Sequence, residues 1–410
     1  MEGKRFIHKI KLTNFLSYGS EGEEIELQPL NVLIGANTSG KSNLIEAMGI
    51  LKATPTDLSK PFREGGGIDE FLWKGTKEIS STSKSIYPLA KIEAIVDNPG
   101  VNPLLYELVF SNNGLRLDLI NEVIDNKYTY PSDDISDIYD NFYYRYNSGK
   151  PVLRRYQGKY ADIVPHYEIN PDNLVKDQSI LSQRRDPELY PELYYLSTEF
   201  YKIGLYRDWQ IGRYSEPRKS QPTDLLPHPL EEDGSNLGLF LNDLKSKIGS
   251  RKIIEKLKKF YEPAEELDVK IYGGTVQIII REEGLIKPIP ANRLSDGTLR
   301  YLFLMALLLD PNPPPLICIE EPEIGLHPDI LPTIAEMLIE ASQRTQLIIT
   351  THSDTLVSAL SEYPESVIVC ERDNTGTHLR RLDPGRLKKW LENYTLGELW
   401  RMGEIGGNRW

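Results

Sequence analysis

Eight residues, Gly35-Ala36-Asn37-Thr38-Ser39-Gly40-Lys41-Ser42, constrain this chain more than any other stretch. They fit G-x-x-x-x-G-K-[ST], a pattern that works only with a strand before it and a helix after it. The flanks comply: Leu30 to Ile34 is an apolar run suited to a buried strand, and Ser42 to Leu51 has helical spacing. Glycine-permitted turns let backbone N–H groups converge on one point, and a helix N-terminus adds its positive end there. A triphosphate suits that point. Lys41 would reach its β- and γ-phosphates and Ser42 would offer a hydroxyl to Mg²⁺. The expected fold is a P-loop α/β fold, with ATP and Mg²⁺ as ligands. Gly35, Asn37, Ser39, Gly40, Lys41, Ser42 and Asn43 are this segment's candidate nucleotide-binding residues.

The second half of the chain supplies the remaining chemistry. Leu316 to Ile319 is an apolar run, bounded upstream by Pro313 to Pro315 and ending in Glu320-Glu321. Successive strand residues face opposite ways, so the two carboxylates divide the work while the strand stays regular. Glu320 would face Mg²⁺ and its waters, and Glu321 a water in line with the γ-phosphate. Leu347 to Ser353 is a second buried strand, with His352 at its tip as a γ-phosphate sensor. Leu294-Ser295-Asp296-Gly297-Thr298 opens a long apolar helix, Leu299 to Leu309. A serine capping a helix start presents hydroxyl and N–H donors to an anion. Lys41 and Ser42 already serve their own phosphates, so this second anion site suits the nucleotide of another molecule.

Composition bounds the rest. A chain of 410 residues has room for about two or three domains. No apolar run reaches the ~18 residues of a membrane span. Cys318 and Cys370 lie in apolar runs, and no signal-peptide pattern opens the sequence, so reduced thiols, a cytoplasmic location and no membrane partner are expected. Alternating runs at Phe6 to Leu16 and Glu24 to Leu27, then Ala90 to Val96, Leu104 to Phe110 and Leu115 to Val123, with a turn at Asn112-Asn113-Gly114, predict a β lobe. Residues 125–229 hold most of the 23 tyrosines, many prolines and little helical periodicity, and read as an insert. Its cations, Arg145, Lys150, Arg154, Arg155, Lys159, Arg184, Arg185, Arg207, Arg213, Arg218 and Lys219, interleave with tyrosines, as on a nucleic-acid surface. A solvated face over a thin core reads the same way. The net charge of −12 opposes general nucleic-acid coating but leaves room for a local groove, so DNA stays a candidate partner. Ser235 to Tyr261 reads as helical with Ser235 as cap, and Leu267 to Ile271 with Thr275 to Ile280 as a hairpin through Gly273-Gly274. The divisions expected are a discontinuous head (1–124 and 230–370), the insert, and a C-terminal extension (371–410).

The order of these motifs resembles ABC-type ATPase heads: Walker A at 35–42, a signature-like 294–298, a Walker B strand ending Glu320-Glu321-Pro322-Glu323, a D-loop-like Ile324 to Pro328 and a switch His352. The opening Ile10 to Tyr18 resembles the first strand of the RecF, SMC and OLD group, and the chain resembles a bacterial family of stand-alone predicted ATPases of that group. The resemblance implies a mixed sheet, an antiparallel β lobe and a helical lobe. It implies that Lys41 and Ser42 bind phosphate and Mg²⁺, that Glu321 is the general base and His352 the sensor, and that Ser295 and Gly297 meet the γ-phosphate held by a partner subunit in a homodimer. Three departures stand out. Glu320 replaces the usual Asp, the signature reads Ser-Asp-Gly, and only Gln178 and Gln183 offer themselves for a Q-loop, with a polar loop as their plainer reading. Relatives by resemblance serve DNA repair or anti-phage defence. No nuclease signature occurs in this chain, so a nuclease or other effector would be a separate protein. The rivals are a transporter ATPase subunit, opposed by the roughly 250 residues between phosphate loop and signature; an SMC-like tether, opposed by the lack of a coiled-coil heptad run; and a binding module with little hydrolysis.

Overall fold

A computed structural model describes residues 2–75, 89–99, 102–114, 116–126, 142–147, 149–157, 162–207 and 212–407, without the side chains of 147 and 155–166. Leu115, Lys159, Trp410 and the side chain of Arg155 lie outside the described residues.

The apolar runs of the sequence become a six-stranded central sheet. Its order is Gly204–Tyr206, Leu316–Glu320, Gln346–Thr350, Leu30–Ile34, Val367–Arg372 and Thr377–Arg381. The first five strands are parallel and the last is antiparallel. Runs apolar at every position are what a parallel sheet covered on both faces requires. Alternate residues divide accordingly. Ile317, Ile319, Leu347, Ile349, Val367 and Val369 enter one core with the helices Asp296–Leu309 and Leu331–Ser342. Leu316, Cys318, Ile348, Ile368 and Cys370 enter a second core with the phosphate-loop helix Lys41–Ala53. Both cysteines are buried free thiols.

The second core is shared with an eight-stranded antiparallel sheet. Its order is Glu23–Glu26, Ile7–Thr13, Ala90–Val96, Leu104–Asn113, Arg116–Asn126, Phe142–Asn147, Lys150–Gln157 and Asp162–Glu168. Asn113 pairs with Arg116 across the expected hairpin, where Gly114 has φ 61°. The expected insert does not stand apart from this framework. Its proposed start at 125 falls inside the strand Arg116–Asn126, three further strands extend the lobe sheet, and Gly204–Tyr206 joins the central sheet. Among the described residues of this stretch, Tyr143 and Tyr144 are buried in the lobe sheet. The division at 371 likewise falls inside the strand Val367–Arg372, and the final helix Leu396–Met402 buries Trp400 in the first core.

The third sheet pairs Gln221–Pro222, Thr275–Glu282, Ala264–Tyr272 and Ile289–Pro290. Its hairpin turns at Gly273 and Gly274, both with positive φ, as a two-residue turn demands. The expected helix of 235–261 is two helices, Leu237–Ile248 and Ser250–Lys258, divided by Gly249 at φ 83°. Asn236, not Ser235, is at the N-cap position, and its amide ties down Leu226 and Pro229 carbonyls instead of capping. Among the described residues no helix is long and apolar enough to cross a membrane.

Candidate nucleotide site

The phosphate loop joins the strand Leu30–Ile34 to the helix Lys41–Ala53 through left-handed turns at Gly35 (φ 150°), Thr38 (68°) and Gly40 (95°). A side chain at Gly40 would come within 2.3 Å of Thr377 Oγ1 and 2.5 Å of Ser17 Oγ. Those two hydroxyls brace the loop. Thr377 Oγ1 lies 2.7 Å from Ser17 Oγ and 3.0 Å from the Ser39 carbonyl, and Asn43 Nδ2 donates to Ser17 Oγ at 2.6 Å. Asn43, a candidate ligand from its place in the motif, thus acts as a brace here. Asn37 is exposed at the loop tip.

Lys41 lies along the inside of the loop and donates to the Gly35 and Ala36 carbonyls at 3.0 and 2.8 Å. Burial lowers its pKa, opposed in part by Cys370, Glu321 and Glu323. Ser39 Oγ is buried with no hydrogen-bond partner, an orphaned polar atom inside the loop. A glycine-lined cradle, a buried ammonium and an unsatisfied hydroxyl suit a phosphate chain, so the residues present fit ATP.

Ser42 Oγ donates to Glu320 Oε2 at 3.2 Å. Hydroxyl and carboxylate together are the oxygen set that Mg²⁺ takes alongside nucleotide phosphates. Burial lifts the Glu320 carboxyl above the ordinary carboxylate range, and Arg207 and Ser42 oppose the lift. Among the described residues no cluster of three or more His, Cys, Asp or Glu could hold a metal alone.

Glu320 and Glu321 diverge for a reason other than strand alternation. Glu321 sits in the left-handed region at φ 45°, a conformation that strains a residue bearing a side chain and persists only where its surroundings enforce it. Its N–H donates to Thr350 O at 3.0 Å, and its own carbonyl accepts from Arg300 Nη2 at 2.9 Å and from Ile324 N at 3.1 Å. The turn leaves its carboxylate 3.8 Å from His352 Nε2. Burial brings Arg300 down to about 10, so it stays cationic behind this turn. Glu323 holds the histidine from behind: its Oε1 accepts from His352 N and Thr351 Oγ1, both at 2.7 Å.

Five of the expected residues therefore gather around the loop: Lys41, Ser42, Glu320, Glu321 and His352. Ser295 does not join them within the chain. It caps the helix Asp296–Leu309 with its Oγ accepting from Thr298 N at 3.0 Å, and it is exposed. Gly297 lets the D-loop approach, because a Cβ there would sit 3.0 Å from the Gly325 carbonyl. The two Q-loop candidates lie elsewhere. Gln178 bonds Leu58 N and Asp57, and Gln183 bonds Val175.

A cation beside Glu320 is one for which sequence reasoning assigned no role at this site. Arg207, directly after the edge strand Gly204–Tyr206, has Nε 3.9 Å from Glu320 Oε1. Its Nη1 donates to Glu46 at 2.6 Å and its Nη2 to the Ile45 carbonyl at 2.9 Å. The guanidinium lies over Gly49 in the phosphate-loop helix, at the wall of a cleft of about 860 Å³ also lined by Glu46, Lys52 and Glu232. Other cations of the Tyr-rich stretch are also engaged within the chain. Arg145 pairs with Asp125, Arg218 with Asp296 and Lys219 with Glu216, while Arg184 and Arg185 bond backbone carbonyls.

Sheet order, flanking lobe and loop geometry give a P-loop α/β fold of the kind seen in Smc heads. The structure superposes on a crystal structure of an Smc head bound to the C-winged helix domain of ScpA, with a TM-score of 0.57 and 14% identity, over 93% of this chain and 99% of that one. An Smc head with an extended coiled coil from Pyrococcus furiosus, bound to the C-terminal domain of ScpA, gives 0.55 and 14%, over 94% and 98%. In sequence, residues 30–358 match the family described as "AAA domain, putative AbiEii toxin, Type IV TA system", and the chain belongs to that family. Comparison with curated proteins gave no match.

Proposed function

We propose that this chain is an ATP-driven switch in which two copies close head to head around ATP and hydrolysis reopens them. One observation carries the reading. The phosphate loop, Glu320, Glu321 and His352 converge, whereas the start of the helix Asp296–Leu309 is exposed, with the Ser295 hydroxyl bonded to Thr298 in its own first turn. A serine-tipped helix of that kind completes a site only on another copy's triphosphate.

In this reading Lys41 exchanges its carbonyl partners for the β- and γ-phosphates, and Ser42 with Glu320 holds Mg²⁺ and its waters. Bound Mg²⁺ would supply charge neutralisation on the phosphate oxygens. Glu321 takes the proton of the attacking water, and His352, 3.8 Å from that carboxylate, registers the γ-phosphate. Two bridging nucleotides favour only the closed pair, so saturating ATP shifts a weak dimer by its differential affinity for the closed state. We further propose a DNA-related process, repair or anti-phage defence, with the closed pair controlling a separate effector protein. The family's description in toxin–antitoxin terms is compatible with that role.

The test replaces Glu321 with Gln and measures mass in solution with Mg-ATP. The expected result is a stable dimer with phosphate release reduced at least a hundredfold. A Glu321→Gln chain that remains monomeric and still hydrolyses ATP overturns both the dimer and the base.

A further inference from the structure

The signature helix carries a feature that opposes the task just proposed for it. Next to Ser295 stands Asp296, with a side chain 61% exposed. A carboxylate on the first turn of a helix is favourable by itself, because it faces the helix's positive end. Facing an incoming triphosphate it repels, and it consumes the positive end that the phosphate would use. A signature segment with a bare carboxylate would therefore reject its ligand.

The structure supplies a counter-charge from far along the chain. Arg218 ends the short turn Glu216–Arg218, and its side chain is only 10% exposed. Its Nη2 donates to Asp296 Oδ1. Its Nη1 donates to the Leu294 carbonyl at 2.6 Å and to the Ala291 carbonyl at 3.4 Å. One guanidinium thus neutralises the signature carboxylate and grips the backbone immediately before Ser295. Only an arginine fork makes both sets of contacts at once. Its Nε is buried with no hydrogen-bond partner, so the group is held there without being fully satisfied.

We propose that Arg218 is the positioning residue that lets a carboxylate-bearing signature helix receive the triphosphate held by a second copy of this chain. The inference rests on the head-to-head reading above. Arg218 does not bind nucleotide in its own chain; it cancels Asp296 and fixes the Leu294–Ser295 backbone so that the serine and helix amides face outward.

The experiment uses the full chain carrying Glu321→Gln, with the dimer constant measured by analytical ultracentrifugation in Mg-ATP. Arg218→Met is expected to weaken the dimer more than tenfold, with the chain still folded and fluorescent ATP still bound by its own phosphate loop. Adding Asp296→Asn to Arg218→Met is expected to restore dimerisation to within about threefold of the parent. Raising salt should shrink the Arg218→Met defect, because the repulsion is exposed to screening. A purely structural brace predicts neither the rescue nor the salt effect, and absence of both overturns the proposal. If Arg218→Met does not fold, Asp296→Asn alone decides: a dimer at least as tight as the parent's supports the charge argument, and a tenfold weaker one overturns it. A parent chain that never dimerises with ATP refutes the head-to-head reading itself. A parent that dimerises and an Arg218→Met chain that matches it refute only the role of Arg218.

Discussion

Gly49 offers a sharp test of how the metal-side carboxylate is held. It lies within the helix Lys41–Ala53, where glycine ordinarily costs about 1 kcal/mol relative to alanine. Gly49→Ala would therefore stabilise a typical helix. Here the new Cβ would lie 2.7 Å from Arg207 Nη2, so the guanidinium must withdraw. Withdrawal gives up the bond to the Ile45 carbonyl, worth about 1 kcal/mol net, and the pair with Glu46. That pair, 24% and 34% exposed, is worth about 0.5 kcal/mol after solvent screening. Losses of about 1.5 kcal/mol against a gain of about 1 leave Gly49→Ala slightly destabilising. In an Arg207→Ala background nothing must withdraw, and the same change should stabilise by about 1 kcal/mol. The four proteins of this cycle, compared by urea unfolding, should show a coupling of about 1.5 kcal/mol, well above the ~0.5 kcal/mol error of additivity. Equal effects of Gly49→Ala in both backgrounds would refute the idea that this glycine exists to seat Arg207. The functional counterpart is a less firmly placed Glu320 carboxylate, because Arg207 Nε lies 3.9 Å from its Oε1. Gly49→Ala and Arg207→Ala should both raise the Mn²⁺ concentration needed for half-saturation of the ATP complex, read by electron paramagnetic resonance.

Two other perturbations probe the surroundings of the site. Thr377→Val removes the hydroxyl that bonds Ser17 and the Ser39 carbonyl while keeping the side chain's shape. At about 1 kcal/mol per buried hydrogen bond, it should weaken fluorescent ATP binding roughly five- to thirtyfold; unchanged affinity would show that the loop holds its form unaided. Glu122 is fully buried in the lobe sheet, accepting from Tyr106 at 2.8 Å and from Ile180 N at 2.9 Å, and burial lifts its carboxyl above the ordinary carboxylate range. A raised carboxyl binds its proton more tightly in the folded chain, so stability is greatest below the unfolded pKa and falls as pH rises through the folded one. Urea midpoints measured from pH 4.5 upward should fall for the parent relative to Glu122→Gln, and parallel curves would contradict the sign.

The contrast between what sequence reveals and what it hides follows from where each group sits. Glu320, Glu321 and His352 stand at or just past the end of an apolar run that becomes a strand of the central sheet, and Lys41 and Ser42 open the helix after the glycine loop of another, so local pattern locates them. Parallel pairing then brings those strand ends together, as in the register of Glu320 with Thr350, with no further information needed. The supporting groups obey no such rule. Thr377 meets Ser17 across 360 residues, and Arg218 meets Asp296 across 78. Arg207 reaches Glu320 only because a three-residue edge strand pairs with Leu316–Glu320. No periodicity marks a segment that short, and the tyrosine-rich composition around it points toward a separate insert. Only the tertiary arrangement shows that cations scattered through that stretch were placed to balance carboxylates at the motifs. The two acidic departures from the family pattern, Glu320 and Asp296, are each met by an arginine from this one stretch. That pairing ties the stretch to the candidate nucleotide site in a way its composition does not disclose.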